Sequence, residues 1–425
     1  MCDTIAGELL LSFRNDDPAA QDLIYRIREG QIDHVEFVDS LSEGLERDGF
    51  KVRKTGFSFC RLRVPPADEH YKINYLQFFY QRALREAIAH PYVKVPKDLL
   101  NWTNYPLQVV PHSWLSIRQA LPAGQGIGYK PSATHNDYKK ICGLPAQPNA
   151  AAGAVKKVLV LDTGLDPASQ STVISEFNFV DEARKNDASD DNGHGTAVTE
   201  IIRDLCPSAE FIVYKVADAT GRASEFDTMR ALAVDNDADI ANISLAFGLD
   251  DTNCPICGRE SRASRSAVFE NFIGQLAGVD ASGPLIVAAA GNAAKTELSF
   301  PARFDNVIAI ESINKAGQLS QFTNRANKNH FGMNHANVFV LPGGDKPAGV
   351  KAPTEYVGTA NGGQQYYGTS FAAAYATGLI AALWSEPAHN GDDRPTLLDH
   401  LRNNADQTLP GYTAATHGNG LMRFR

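Results

Sequence analysis

Three polar residues sit where short apolar runs meet helix-like stretches, and their types suit a nucleophile with a proton relay. Asp162 ends the run Val158-Leu159-Val160-Leu161 and precedes Thr163-Gly164. His194 lies within Asp191-Asn192-Gly193-His194-Gly195-Thr196-Ala197-Val198, and Ser370 within Tyr367-Gly368-Thr369-Ser370-Phe371-Ala372-Ala373-Ala374. A serine hydroxyl is a weak nucleophile until an imidazole takes its proton. A carboxylate on the far ring nitrogen fixes the tautomer and stabilises the imidazolium. Taken singly, each residue has a plainer use: a carboxylate or serine at such a junction more often caps a helix, and a histidine more often packs. Taken together, in the order Asp, His, Ser and with these neighbours, they read as a catalytic set.

These three motifs resemble those of the subtilisin-like serine proteases, over about residues 104 to 425. The resemblance gives Ser370 the role of nucleophile, His194 that of general base and acid, and Asp162 that of orienting carboxylate. It also assigns the oxyanion hole to Asn292, which ends Val287-Ala288-Ala289-Ala290-Gly291-Asn292. Gly221, Arg222 and Ala223, with Ser244, Leu245 and Ala246, stand where the family has its two substrate-pairing edges. Ala246 replaces a common glycine there, and Ala374-Tyr375 replaces the proline and histidine usual after the serine. A lipase-type hydrolase is disfavoured, because Gly-Thr-Ser-Phe-Ala is not a nucleophile elbow.

Elements that could hold such a site follow from residue 154 onward. Apolar runs at Val158 to Leu161, Phe211 to Val216, Ile240 to Leu245, Pro284 to Ala290 and Val307 to Ile310 alternate with helical patterns. Such alternation predicts an α/β, mostly parallel sheet with helices on both faces. Ligands bind beyond the carboxyl ends of strands in these sheets, which is where Asp162 and Asn292 fall.

The first 103 residues read separately, as a small α+β unit of ferredoxin-like, split βαβ order. A strand at Leu9 to Phe13, a first helix over Val35 to Leu45, strand character from Val52 to Val64, a helix from Ile73 to Ala89 and a closing strand at Tyr92 to Val95 are expected. Phe78, Phe79 and Tyr80 are taken as its core. Residues 104–153, interrupted by Pro106, Pro111, Pro122, Pro131, Pro145 and Pro148, read as a linker or wrapping segment, and 154–425 as the peptidase domain. A split βαβ unit ahead of such a domain looks like the family's propeptides, which chaperone folding and then inhibit. On that reading a bond between about Lys97 and Gln125 is cut in cis; the alternative is a permanent docking domain.

Composition narrows the partners. The chain has 425 residues, with Asp and Glu outnumbering Lys and Arg by 49 to 40, so there is no basic footprint for nucleic acid. No window is apolar enough for a membrane span, and no signal peptide is seen. Six scattered cysteines point to reduced thiols, hence a cytoplasmic setting. Cys254 and Cys257 form a lone C-x-x-C that supplies too few ligands for structural zinc. No cofactor is required and no metal ligand is assigned, although the acidic loop Asp181, Glu182, Asp187, Asp190 and Asp191 could hold calcium. The expected function is a serine endopeptidase acting on polypeptides, latent under its N-terminal domain and released by cleavage or an activating partner. The rival is a catalytically silent peptide-binding protein on the same fold.

Overall fold

Strand β1 (Thr4–Arg14) buries Leu9 and Leu11 on one face and Leu10 on the other, so it must be covered on both sides. In the computed structural model, which describes residues 4–90, 93–95, 107–117, 127–144, 154–247, 266–276, 283–326 and 336–425, both covers are present. Helix α1 (Pro18–Arg28) starts where Asp17 Oδ1 accepts the N–H groups of Ala19 and Ala20 at 3.0 and 3.2 Å, with Pro18 preset in the first turn. After β2 (Glu36–Ser40), α2 (Leu41–Arg47), β3 (Phe57–Arg63), α3 (Glu69–Ala89) and β4 (Gln108–Ser116), the strands lie in the antiparallel order β4-β1-β3-β2. That is the expected ferredoxin-like order. Helices α1 and α3 pack on the face that carries Leu9 and Leu11.

Three local expectations are corrected. The first helix is α1, and Val35 to Leu45 instead holds β2 and the start of α2. The closing strand is β4, since residues 93–95 form no strand. Phe78 is 65% exposed, because the period of α3 turns Leu76, Tyr80, Ala83 and Leu84 inward.

The stretch read as a linker therefore contributes β4 and, further on, β5 (Lys130–Pro131) and helix α4 (Ala133–Ile141). The main sheet is built from β6 (Lys157–Asp162), β7 (Val173–Asn178), β8 (Glu210–Lys215), β10 (Ile240–Ile243), β12 (Leu285–Ala289), β13 (Ile308–Ile313) and β14 (Val338–Pro342). All of its pairs are parallel, in the order β14-β13-β12-β10-β6-β8-β7. Alternate residues serve opposite faces: Leu159 and Leu161 pack toward α6 (Glu225–Ala233) and α7 (Ala267–Leu276), Val158 and Val160 toward α5 (His194–Leu205) and α8 (Thr369–Ser385). Every residue of α8 from Thr369 to Trp384 is buried. Two short strands outside this sheet, β9 (Arg222–Ser224) and β11 (Ala246–Phe247), attach to β4. Strands β15 (Gly358–Thr359) and β16 (Gln365–Tyr366) join β5, and α9 (Arg394–Asn403) and α10 (Ala414–His417) finish the chain.

The small domain sits on α6 and α7. Phe59 meets Phe272 edge to face at 5.3 Å. The buried carboxylate of Asp48 pairs with Arg230 at 2.6 Å and Lys185 at 2.5 Å. Removing one partner of such a buried pair costs several kcal/mol, so Asp48 fixes the domain's seat. Among the described residues no helix is long and apolar enough to cross a membrane. Cys254 and Cys257 lie outside the described residues.

Candidate active site

Asp162 is the last residue of β6 and His194 the first of α5, so sheet and helix bring them together across 32 residues of sequence. His194 Nδ1 lies 2.8 Å from Oδ1 and 3.0 Å from Oδ2 of Asp162, with the two side chains 3% and 0% exposed. The turn that delivers His194 is fixed by Asp190, whose Oδ1 accepts the N–H groups of Asn192 and Gly193 and whose Oδ2 accepts Thr196 N–H. Gly193 caps α5 at φ 101°, a conformation that favours glycine. At Gly195 a Cβ would collide with the Gly164 carbonyl, so only glycine lets the helix approach the Asp162 loop this closely.

Ser370 is the second residue of α8, in the turn whose first N–H groups have no partner within the helix. The Thr369 N–H and hydroxyl both donate to Asn292 Oδ1, at 2.8 and 2.9 Å. With Oδ1 engaged, the Asn292 Nδ2 group is left as the donor, beside the free end of α8. The His194 ring packs 5.2 Å from the Phe371 ring, next to Ser370. The Ser370 hydroxyl itself donates to the Ser244 carbonyl at 3.2 Å, and among the described residues no hydrogen bond joins it to His194. Catalysis would need this hydroxyl to turn to Nε2, and such bonds often tighten only with substrate bound.

Both proposed substrate edges are occupied by the chain itself. Strand β4 leaves β1 after Ser113 and runs between β9 and β11, pairing Leu115 with Ala223, Ser116 with Arg222, Ser116 with Ala246 and Leu115 with Phe247. Ile117 N–H donates to the Gly221 carbonyl at 2.9 Å. Leu245 packs in the same core as Leu115 and Ile117. The Arg222 guanidinium lies 4.8 Å from the Trp114 ring. Of the ten residues singled out from the sequence, Asp162 meets His194, Ser370 Oγ reaches the Ser244 carbonyl, and Asn292 holds Thr369 next to Ser370. Arg222, Ala223 and Ala246 pair with β4, Gly221 accepts the Ile117 N–H, and Leu245 packs beside them.

Several contributors were not read from the sequence. Thr369 positions Asn292, and its place beside Ser370 was the available signal. Asp190 organises the His194 turn, although it was read only as a calcium ligand. In the acidic loop Asp187 pairs with Arg184 at 2.7 Å, Asp191 with Lys215 at 2.7 Å and Glu182 with Lys185 at 2.7 Å. Among the described residues no group of three acidic, histidine or cysteine side chains is placed to hold a metal. Tyr375 is fully buried, hydrogen-bonded to His135 of α4, whose Nε2 meets Asp204 at 2.8 Å. The wrapping segment thereby fills the space behind α8.

The model of the subtilase family matches residues 153–420. The chain belongs to that family. This subtilase is 27% identical over 290 residues to a thermophilic serine proteinase of Bacillus sp. (strain AK1), covering 64% of this chain and 61% of that one. It is 29% identical to subtilisin BL of Lederbergia lenta, over 64% of this chain and 89% of that one. With the major intracellular serine protease of Bacillus subtilis (strain 168) the figure is 28%, over 63% of this chain and 80% of that one. The aligned stretch spans 61% of the AK1 proteinase and 65% of alkaline elastase YaB of Bacillus sp. (strain YaB), less than two thirds of either. A crystal structure of a lanthipeptide protease shares the fold, with a TM-score of 0.52 at 20% identity over 69% of this chain and 94% of that one.

Proposed function

We propose that this subtilase is a serine endopeptidase in which Ser370 attacks the peptide carbonyl, His194 carries the proton and Asp162 holds the imidazole. Asn292 Nδ2 and the Ser370 N–H would receive the oxyanion. The observation that carries this reading is the buried Asp162–His194 pair at 2.8 Å, beside a helix start where Thr369 pins the oxyanion asparagine. Preorganised donors of this kind supply roughly 3 to 4 kcal/mol each to the transition state. The expected result is a fluorophosphonate adduct on Ser370, located by mass spectrometry of the whole chain. An adduct on another residue, or none after the groove is emptied, would reject it.

The N-terminal domain acts in this reading as an intramolecular inhibitor, because β4 lies in the groove in the manner of a substrate strand. Ser370 Oγ lies 3.2 Å from the Ser244 carbonyl. We assign self-cleavage to the stretch between about Lys97 and Gln125, which includes β4 in the groove. Three buried free thiols, Cys60, Cys142 and Cys206, suit work in a reducing compartment.

Latency is expected to depend on pH. Burial pushes the Glu225 carboxyl, under β4, up to about 8 against the opposing pulls of the Ser266 hydroxyl and the Ser113 N–H. With β4 gone, the carboxyl meets solvent and returns toward 4.5. An acid with the higher pKa when docked binds its proton there. Docking is then strongest below about pH 4.5, weakens as pH rises toward about 8 and is flat above. Fluorophosphonate labelling of Ser370 in the wild type, divided by that in Glu225→Gln, should rise between pH 5 and 8, while a constant ratio would sink the linkage. The ratio removes the titration of His194, common to both chains.

A further inference from the structure

Strand β4 does more than fill the groove beside Ser370, because its earlier residues run past β9 onto the first turn of α6. There the Ser113 N–H donates to Glu225 Oε2 at 3.2 Å. Glu225 is the first residue of α6 and directly follows Ser224, so it is fixed to the substrate-pairing edge. Its side chain is wholly buried, and among the described residues Oε1 has no hydrogen-bond partner. A carboxyl buried with one oxygen unmet is costly unless something better can occupy the place. The docked segment offers only a main-chain N–H, since the Ser113 hydroxyl turns to the Pro111 carbonyl at 3.5 Å.

We propose that Glu225 forms an acidic subsite at the far end of the substrate groove, selecting a basic side chain at the substrate position aligned with Ser113. This rests on the endopeptidase reading. A substrate strand in the β4 register carries its residues 113, 115 and 117 on one face, the face on which Leu115 and Ile117 are buried against the peptidase. A lysine or arginine at the first of these positions can give donors to both carboxylate oxygens, where serine gives none.

The neighbouring groups favour this use. His112 keeps Nε2 as acceptor for the Phe226 N–H at 3.1 Å and turns Nδ1 to Glu8 at 2.8 Å, so it does not neutralise Glu225. Arg61, over the Phe226 ring at 5.2 Å, belongs to β3 and departs with the small domain. Arg230 keeps Asp227 as a partner at 3.3 Å. Arg222 lies at the other end of β9, opposite Ser116. What remains beside the vacated strand is a carboxylate at the start of a helix, next to the Ser266 hydroxyl.

The test uses the self-processed chain and peptides of residues 108–122 in which position 113 is Lys, Ala or Glu. The wild type should cleave the Lys peptide with a kcat/KM at least tenfold above that of the Glu peptide, at pH 7.5 and low salt. Molar salt should narrow the ratio, because charge recognition is screened, and Glu225→Gln should bring it near one. A wild-type ratio within twofold, or a preference that survives Glu225→Gln, overturns the subsite while leaving the endopeptidase reading intact. If Glu225→Gln does not fold, the wild-type ratio and its salt dependence decide alone. Failure to cleave any of the peptides overturns both readings.

Discussion

Ser370→Ala is expected to lower turnover by roughly a millionfold, the scale found when the serine or histidine of subtilisin is removed. The loss must be separated from two other effects. One is unfolding, but among the described residues the Ser370 hydroxyl makes a single bond, to the Ser244 carbonyl at 3.2 Å, and losing it costs about 1 kcal/mol. Because α8 is buried along its whole length, a small hydroxyl deletion leaves its packing in place. The other effect is a blocked groove, because a chain that cannot cut itself keeps β4 between β9 and β11. The comparison therefore needs the N-terminal segment removed from both chains by a different protease before peptide hydrolysis is measured. Under those conditions the wild type should turn over and the variant should retain only what groove binding and the Asn292 amide supply. Without that treatment, mass spectrometry should find the variant uncut and the wild type cut between about Lys97 and Gln125. A loss below a hundredfold in the emptied groove would mean that another group attacks the substrate.

The places of Asp162 at a strand end and of His194 and Ser370 at helix starts were legible because each motif is local, and Asn292 follows β12 by three residues. The peptidase sheet was legible for a similar reason: strands buried on both faces appear as continuous apolar runs. β7 and β14 were not anticipated, and β7, with exposed Ile174, carries a weak pattern. Strand β4 was hidden for a different cause. Pro106 and Pro111 read as breakers, yet Pro111 lies at the register shift in the pairing of β4 with β1, between Leu9–Pro111 and Thr4–Ser113, so its missing N–H falls at an irregularity of the ladder. What makes Trp114 to Ser116 a strand is a pair of edges more than a hundred residues away, which no local pattern reveals. The same holds for Tyr375: its departure from the family pattern was visible, but not that His135 of α4 would meet it. Glu225 carries no signal in the sequence, because only β4 above it turns that carboxyl into a buried one.

Asp162→Asn is expected to lower kcat by roughly ten-thousandfold while leaving the fold intact, the effect of the same change in another serine protease triad. In the native site both carboxylate oxygens face His194 Nδ1, at 2.8 and 3.0 Å, and Oδ1 also accepts the Thr163 N–H at 2.8 Å. That second bond decides how an asparagine would sit. The Thr163 N–H calls for an oxygen at the Oδ1 position, which turns the amide NH2 toward the Oδ2 side of the imidazole. Nδ1 is then pressed to accept rather than donate, the ring proton moves to Nε2, and Nε2 can no longer take the proton of Ser370. The variant should label with fluorophosphonate more slowly in similar proportion, although the Asn292 amide and the Ser370 N–H are untouched, because labelling also needs the serine proton removed. A loss of only about tenfold, with normal labelling, would mean that Asp162 merely orients the ring and that the neutral tautomer is set elsewhere in the site. A loss accompanied by a lowered melting temperature would point instead to the bond from the Thr163 main-chain N–H, which the carboxylate accepts in the native turn.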